Sequence, residues 1–406
     1  MAAKLYERAI EHQDLVKAEG RAIPPARVPE LHIKRGEVRT ELGDRGAQAE
    51  LEEAAEALAT LLIDEPESAP FRFLLGQCYH NLADNYHALD ARHDKAIEYY
   101  LLSQGYFEWL VRRFCGDDTT SANLASAENS RTCARYQQAL ARSHGYQGDL
   151  YLERGDLEKA KLEYDAALEI RARLVEHDPT NAQRRFELAR SYQNSGRLAS
   201  RLGEVDAALS AFEKARDMQL ALHAEKGSVL KYKTDLVYTC RNIAELSLDK
   251  GDLPAAKQAA ELAAKLSSEM PNSYDGIEAS SSVALVLARQ GVQEKSPKAV
   301  ELVGEARRRM QQFVEQSVGP ATSQAAMYDQ IKDCEQAYDL AVVDALAAAS
   351  STSERDLKSR EAVELLRAAI AKGYHDAARF ERDKAFAVLS DSERAELAKA
   401  MRSQAS

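Results

Sequence analysis

The chain is 406 residues long, 45% hydrophobic and 29% charged, with a formal net charge of -11. That negative balance argues against nucleic acid as a general partner, because phosphate contacts need a basic surface. No apolar run approaches the roughly 18 residues of a membrane span, and the N-terminus is charged too early for a signal peptide. The expected setting is therefore the cytoplasm, with no membrane partner.

Ala, Leu, Glu, Arg and Lys dominate and no stretch alternates like a strand, so the expected class is all-α. Residues 1–20 read as one helix with Ala2, Tyr6 and Ala9 on a face, half of a repeat whose first helix is missing. Residues 21–30 hold Pro24, Pro25 and Pro29 and read as a proline-rich linker. From Leu31 to Pro66 a weak hairpin breaks at Gly43-Asp44-Arg45-Gly46. A clearer one runs from Phe71 to Phe114, followed by a polar insertion at 116–130.

The centre is the most regular part. Leu140 to Pro179 reads as two antiparallel helices broken at Arg154-Gly155-Asp156, with Asp156 as N-cap and Pro179 as the stop. Ala160, Ala208 and Ala256 follow one another at 48-residue spacing. Leu140-Ala141-Arg142-Ser143 returns 48 residues later as Leu188-Ala189-Arg190-Ser191. Gly155-Asp156-Leu157 returns as Gly203-Glu204-Val205 and Gly251-Asp252-Leu253. Small Gly148 and Ala160 are expected to let two helix backbones approach, with Tyr151 and Tyr164 filling the space between hairpins. Such a unit cannot bury its apolar face alone and must stack on its neighbours.

The units at 274–318 and 321–372 are degenerate, and the second carries an Ala/Ser/Thr insertion at 347–358. The last helix holds Ala362, Leu366 and Ala369 and ends at Gly373. Residues 373–406 read as a capping segment with Tyr374, Asp383, Phe386 and Leu389 at fixed spacing.

Gly148-x2-Tyr151 followed by Ala160-x3-Tyr164 and a later proline resembles the tetratricopeptide repeat, lengthened from its usual unit of about 34 residues. The resemblance implies a right-handed α-solenoid of about seven hairpins over 31–372. The long unit, with its Leu-Ala-Arg-Ser opening, is similar to the repeat tails of bacterial, planctomycete-type serine/threonine kinases. In the closing motif Lys384 stands where those tails usually have proline. No Gly-rich phosphate loop, nucleophile elbow or metalloprotease motif is present, so the chain is read as non-catalytic and without cofactor.

The repeat class implies that first helices line a concave wall. The Leu-Ala-Arg-Ser register then puts His80, Asp84, His87, Arg142, Asp149, Arg190, Gln193, Arg197, Arg201, Tyr238, Arg241 and Glu245 on it. Arginine forks bind carboxylates in bidentate fashion, so the expected guest is a protein segment or acidic peptide. The plainer reading pairs these arginines with Asp149, Glu204 and Glu245 as surface ion pairs. A peptide-sensing regulator is an alternative of the same class. His80, Asp84 and His87 share a helix face and could hold a metal for hydrolysis, but a solvated polar face explains them as well. The five cysteines are expected to be reduced and mostly buried, with no disulfide and no zinc site.

Overall fold

The computed structural model describes residues 24–44, 46–90, 93–115, 127–270, 355–375 and 377–404, with Tyr6, Ala9, 341–342, 344–346 and 348 besides. The chain forms two compact units, residues 1–184 and 185–406. All regular structure among the described residues is helical. The expected helix over 1–20, the unit at 274–318 and the part of the 321–372 unit before Arg355 lie almost wholly outside those residues.

Among the described residues the first unit holds three antiparallel hairpins: α1 (Arg27–Glu41) with α2 (Ala47–Asp64), α3 (Ala69–Asp90) with α4 (His93–Cys115), and α5 (Ala127–Glu153) with α6 (Leu157–His177). The second holds the pairs α7 (Ala182–Leu202) with α8 (Val205–Glu225) and α9 (Leu230–Lys250) with α10 (Leu253–Ser268). It ends in α11 (Arg355–Ala371), α12 (Ala377–Arg382), a short 3-10 helix (Lys384–Val388) and α13 (Asp391–Gln404). These are stacked helical hairpins of the tetratricopeptide-like, α-solenoid class.

The repeated alanines are the reason the hairpins close. Ala47, Ala96, Ala160, Ala208 and Ala256 are all fully buried on second helices. Opposite them, Gly148 has no side chain where a Cβ would stand 2.6 Å from the Tyr164 ring, and Gly196 repeats this against Phe212 at 2.8 Å. Tyr164 thus fills the space inside its own hairpin, over Gly148, rather than the space between hairpins. The turns repeat too, with Gly155, Gly203 and Gly251 at φ of 76°, 78° and 83°. That left-handed backbone is the conformation glycine adopts without a Cβ penalty. Asp156 caps α6 by accepting from the Lys159 amide, and Asp252 caps α10 from the Ala255 amide.

Two boundaries differ from the sequence expectation. α1 starts at Arg27, inside the expected linker, because Pro29 sits in the first helical turn where no amide donor is needed. α11 starts at Arg355, inside the expected insertion. At the C-terminus, Asp383 caps the 3-10 helix by accepting from the Ala385 amide at 3.0 Å, and Tyr374, Phe386 and Leu389 are buried.

The cysteine expectation needs correction. Cys115 and Cys133 form a disulfide, while Cys78 and Cys240 are free and buried. Cys115 ends α4 and Cys133 lies in the second turn of the neighbouring α5, so their Cα atoms are 5.4 Å apart. That separation is within the range a disulfide spans. Their 18-residue separation in sequence hid an adjacency that the antiparallel packing creates.

Candidate functional site

In the first unit the expected wall residues lie on α3 and α5, where several meet side chains of α4. His80 is 3% exposed, with its ring edge-on to Tyr100 and Tyr146 at centroid distances of 5.3 and 5.2 Å. Its Nδ1 lies 3.4 Å from the Ser143 hydroxyl. Burial, with the nearby Arg142 guanidinium, pushes its pKa well below the ordinary histidine value, so the ring is neutral. His80 is therefore part of the core and cannot meet a ligand at the surface.

Asp84 accepts from the Tyr100 hydroxyl and sits 3.7 Å from the Arg142 guanidinium. Burial raises its pKa, with Arg142 and Tyr100 opposing. One turn of chain and one hairpin later, the Tyr164 hydroxyl donates to Asp149 at 2.6 Å. Tyrosine hydroxyls on second helices thus hold carboxylates on first helices in both hairpins. Arg142 is half-exposed, with Asp84 as one ionic partner and the Tyr146 ring 5.7 Å away.

His87 leaves this cluster. Its Nε2 is 2.7 Å from Glu153, which ends α5, and its ring meets His93, which begins α4, edge-on at 5.8 Å. The Glu153 hydrogen bond raises the His87 pKa, against the opposing effect of burial. The imidazoles that converge are accordingly His87 and His93 rather than His80 and His87. Sequence reasoning missed His93 and Glu153, because only the packing of three helix ends brings them to His87.

In the second unit, α7 and α9 lie side by side. Phe186 packs on Tyr232 with centroids 5.1 Å apart, and Gln193 donates to the Asp235 carbonyl at 3.1 Å and the Thr239 hydroxyl at 2.8 Å. Gln193 is buried and serves this helix pairing, so its side chain is not on the wall surface. Arg190 is exposed, and Arg197, Arg201, Tyr238, Arg241 and Glu245 are half-buried. The Arg197 guanidinium reaches the Asn194 side-chain oxygen at 3.5 Å. That of Arg241 lies 5.3 Å from the Tyr238 ring centroid, which orients it by cation–π attraction.

Asp235 was not singled out by the period. Burial pushes its carboxyl up to about 6, with Arg190 opposing, and its Oδ2 is buried without a hydrogen-bond partner. A second unforeseen network lies in the first hairpin, where buried Glu50 accepts from His32 at 2.8 Å, from Arg39 at 3.1 Å and from Arg35. It ties α1 to α2.

No family model matches the chain, and no curated protein matches it. Solved structures of other helical proteins are similar. BtubC from P. vanneervenii is 22% identical, covering 67% of this chain and 92% of its own, with a TM-score of 0.49. A Rap protein complexed with competence and sporulation factor is 12% identical over 99% of this chain and 98% of its own, with a TM-score of 0.47. Human IFIT1, as a dimer with PPP-AAAA, is 13% identical over 88% of this chain and 78% of its own, with a TM-score of 0.31. At these identities and scores the likenesses say nothing of ligand, partner or activity. Among the described residues, no helix is long and apolar enough to cross a membrane.

Proposed function

We propose that the chain is a non-catalytic scaffold that binds an acidic segment of a partner protein along the first helices of its second unit. The supporting observation is the set of guanidinium groups on α7 and α9, two helices that Gln193 couples directly. Arg190, Arg197 and Arg201 follow one another at helical spacing along α7, and Arg241 lies on α9 beside Tyr238. Positions seven and eleven residues after Arg190 lie on nearly the same helix face. Half-burial among helices lowers the local dielectric, so a carboxylate arriving there meets a stronger field than on an open surface. Each charge-assisted hydrogen bond formed would contribute about 1.5–3 kcal/mol. In its finer form the proposal rests on the sequence resemblance alone: such a scaffold would recruit substrates or partners for a serine/threonine kinase.

The test uses defined probes rather than an unknown partner. Fluorescence anisotropy with a labelled peptide of consecutive glutamates should show saturable binding that weakens as salt is raised. The double variant Arg197→Ala/Arg241→Ala should lose that binding while its far-ultraviolet circular dichroism stays unchanged. Equal binding by the double variant at low salt, or preference for a peptide of lysines, would remove the proposal.

A further inference from the structure

Three helix ends meet at one place in the first unit. His87 lies in the last turn of α3, His93 is the first residue of α4, and Glu153 is the last residue of α5. The His87, His93 and Glu153 donor atoms all lie within 4.8 Å of one another, and His87 Nε2 is already 2.7 Å from Glu153 Oε2. We propose that these three side chains form a binding site for a first-row divalent transition metal, which would pin the α3–α4 turn to the end of α5.

The donor set decides the class of ion. Two neutral imidazoles and one carboxylate suit zinc, cobalt, nickel or copper, whereas magnesium and calcium prefer sites made wholly of oxygen. Zinc bonds of about 2.0–2.2 Å place tetrahedral donors roughly 3.3 Å apart, so the His93 ring has at most ~1.5 Å to close. A side-chain rotation supplies that, since His93 is half-exposed at the start of its helix. Three protein ligands leave at least one position for water or for a donor from outside.

Two further features favour the site. Asp94 and Arg154, the residues immediately after His93 and Glu153, pair at 2.6 Å and hold the same two helix ends together. The ligands are thus kept near one another before any ion arrives, which reduces the ordering cost of binding. In addition, the carboxylates of Asp84 and Asp149 lie close enough to act on His87. With Glu153 they offset the positive charge that Arg142 and Arg154 bring nearby. Side-chain exposures of 28% for His87 and 42% for Glu153 leave it open to an aqueous ion. The proposal does not depend on the arginine wall of the second unit.

The experiment uses the full chain, stripped with a chelator and dialysed. Titration with zinc alone in a calorimeter should give one tight equivalent, and zinc should raise the melting temperature. Cobalt should give the visible absorption bands of a tetrahedral nitrogen and oxygen site. His93→Ala and Glu153→Gln should each weaken the first equivalent by roughly tenfold or more. His177→Ala, at the exposed end of α6, should leave it unchanged and serves as the control for stray histidine binding. Absence of a saturable first equivalent would overturn the site. So would an unchanged first equivalent in folded His93→Ala and in folded Glu153→Gln. The two variants remove different ligands from different helices, so one failing to fold leaves the other as the deciding measurement.

Discussion

The hairpin α5/α6 of the first unit and α7/α8, which follows it, occupy the same slots of the repeat and fill them with different chemistry. At the buried aromatic position stands Tyr164 in one and Phe212 in the other, 48 residues apart. At the facing wall position stands Asp149 in one and Arg197 in the other, at the same spacing. Where the aromatic ring carries a hydroxyl, that hydroxyl holds a carboxylate at 2.6 Å. Where the hydroxyl is missing, the wall residue is a cation. The packing half of the slot, Gly148 under Tyr164 and Gly196 under Phe212, is kept in both. In these two hairpins the ring and the glycine keep the packing while the charge at the facing position changes sign. The two units also differ covalently, since the first has the Cys115–Cys133 disulfide and the second has only the free, buried Cys240 among its described residues.

The largest expected effect breaks that covalent difference. Opening a disulfide that closes a loop of this length should cost about 3 kcal/mol, because the unfolded chain regains the entropy that the bond removes. Denaturation with and without reductant, followed by hydrogen exchange, should show the loss in α4 and α5 and leave α9 and α10 unchanged. Equal loss in both units would show that the clasp does not act locally. The same experiment indicates how the protein behaves where glutathione keeps thiols reduced.

A transplant sharpens the comparison of the wall. Tyr164→Phe removes a hydrogen bond to a charged group and should cost about 1.5–2 kcal/mol. Phe212→Tyr together with Arg197→Asp builds the same pair in the next hairpin. A double-mutant cycle on the two sites should give a favourable coupling of about 1 kcal/mol. A coupling of zero would mean that the two slots are not equivalent, whatever their spacing.

These comparisons show which parts of the chain were legible in advance. Ala160, Ala208 and Ala256 announced the packing because a fully buried small residue recurs wherever two helices touch, and that is a short-range rule. Gly155 and Asp156 announced the turn for the same reason. The wall was read less well. Gln193 has the same register as Arg241, 48 residues later, yet three residues after Arg190 it is turned about 60° from that arginine, into the α7–α9 contact. His80 shares a face with Asp84 and His87 by spacing, yet Tyr100 and Tyr146 from other helices cover it. The His93–Glu153 adjacency, the Cys115–Cys133 bond and the Glu50 network all depend on tertiary neighbours. No local pattern in the sequence encodes them.

The smallest expected effect concerns Asp235, the largely buried carboxyl on α9. Its counterpart 48 residues earlier is Glu187, so an acid recurs at this position across α7 and α9. Its pKa is raised from 3.8 to about 6, chiefly by burial. Below the unfolded value both folded and unfolded chains are protonated, and the group contributes nothing to the pH dependence. As pH rises through about 4, the unfolded chain ionises first, and stability is lost until the folded carboxyl ionises near 6. A shift of about two units sets a ceiling of roughly 3 kcal/mol on that loss. Asp235→Asn removes the ionisation but leaves an amide in the same buried place, which offsets much of the gain. The net stabilisation at pH 7 should be about 1 kcal/mol. Denaturation of both proteins at pH 4, 5, 6 and 7 should show their difference growing across the window and flat above it. A difference that stays constant with pH would mean that the Asp235 carboxyl does not titrate in the window, and that its burial does not set the pH response of the second unit.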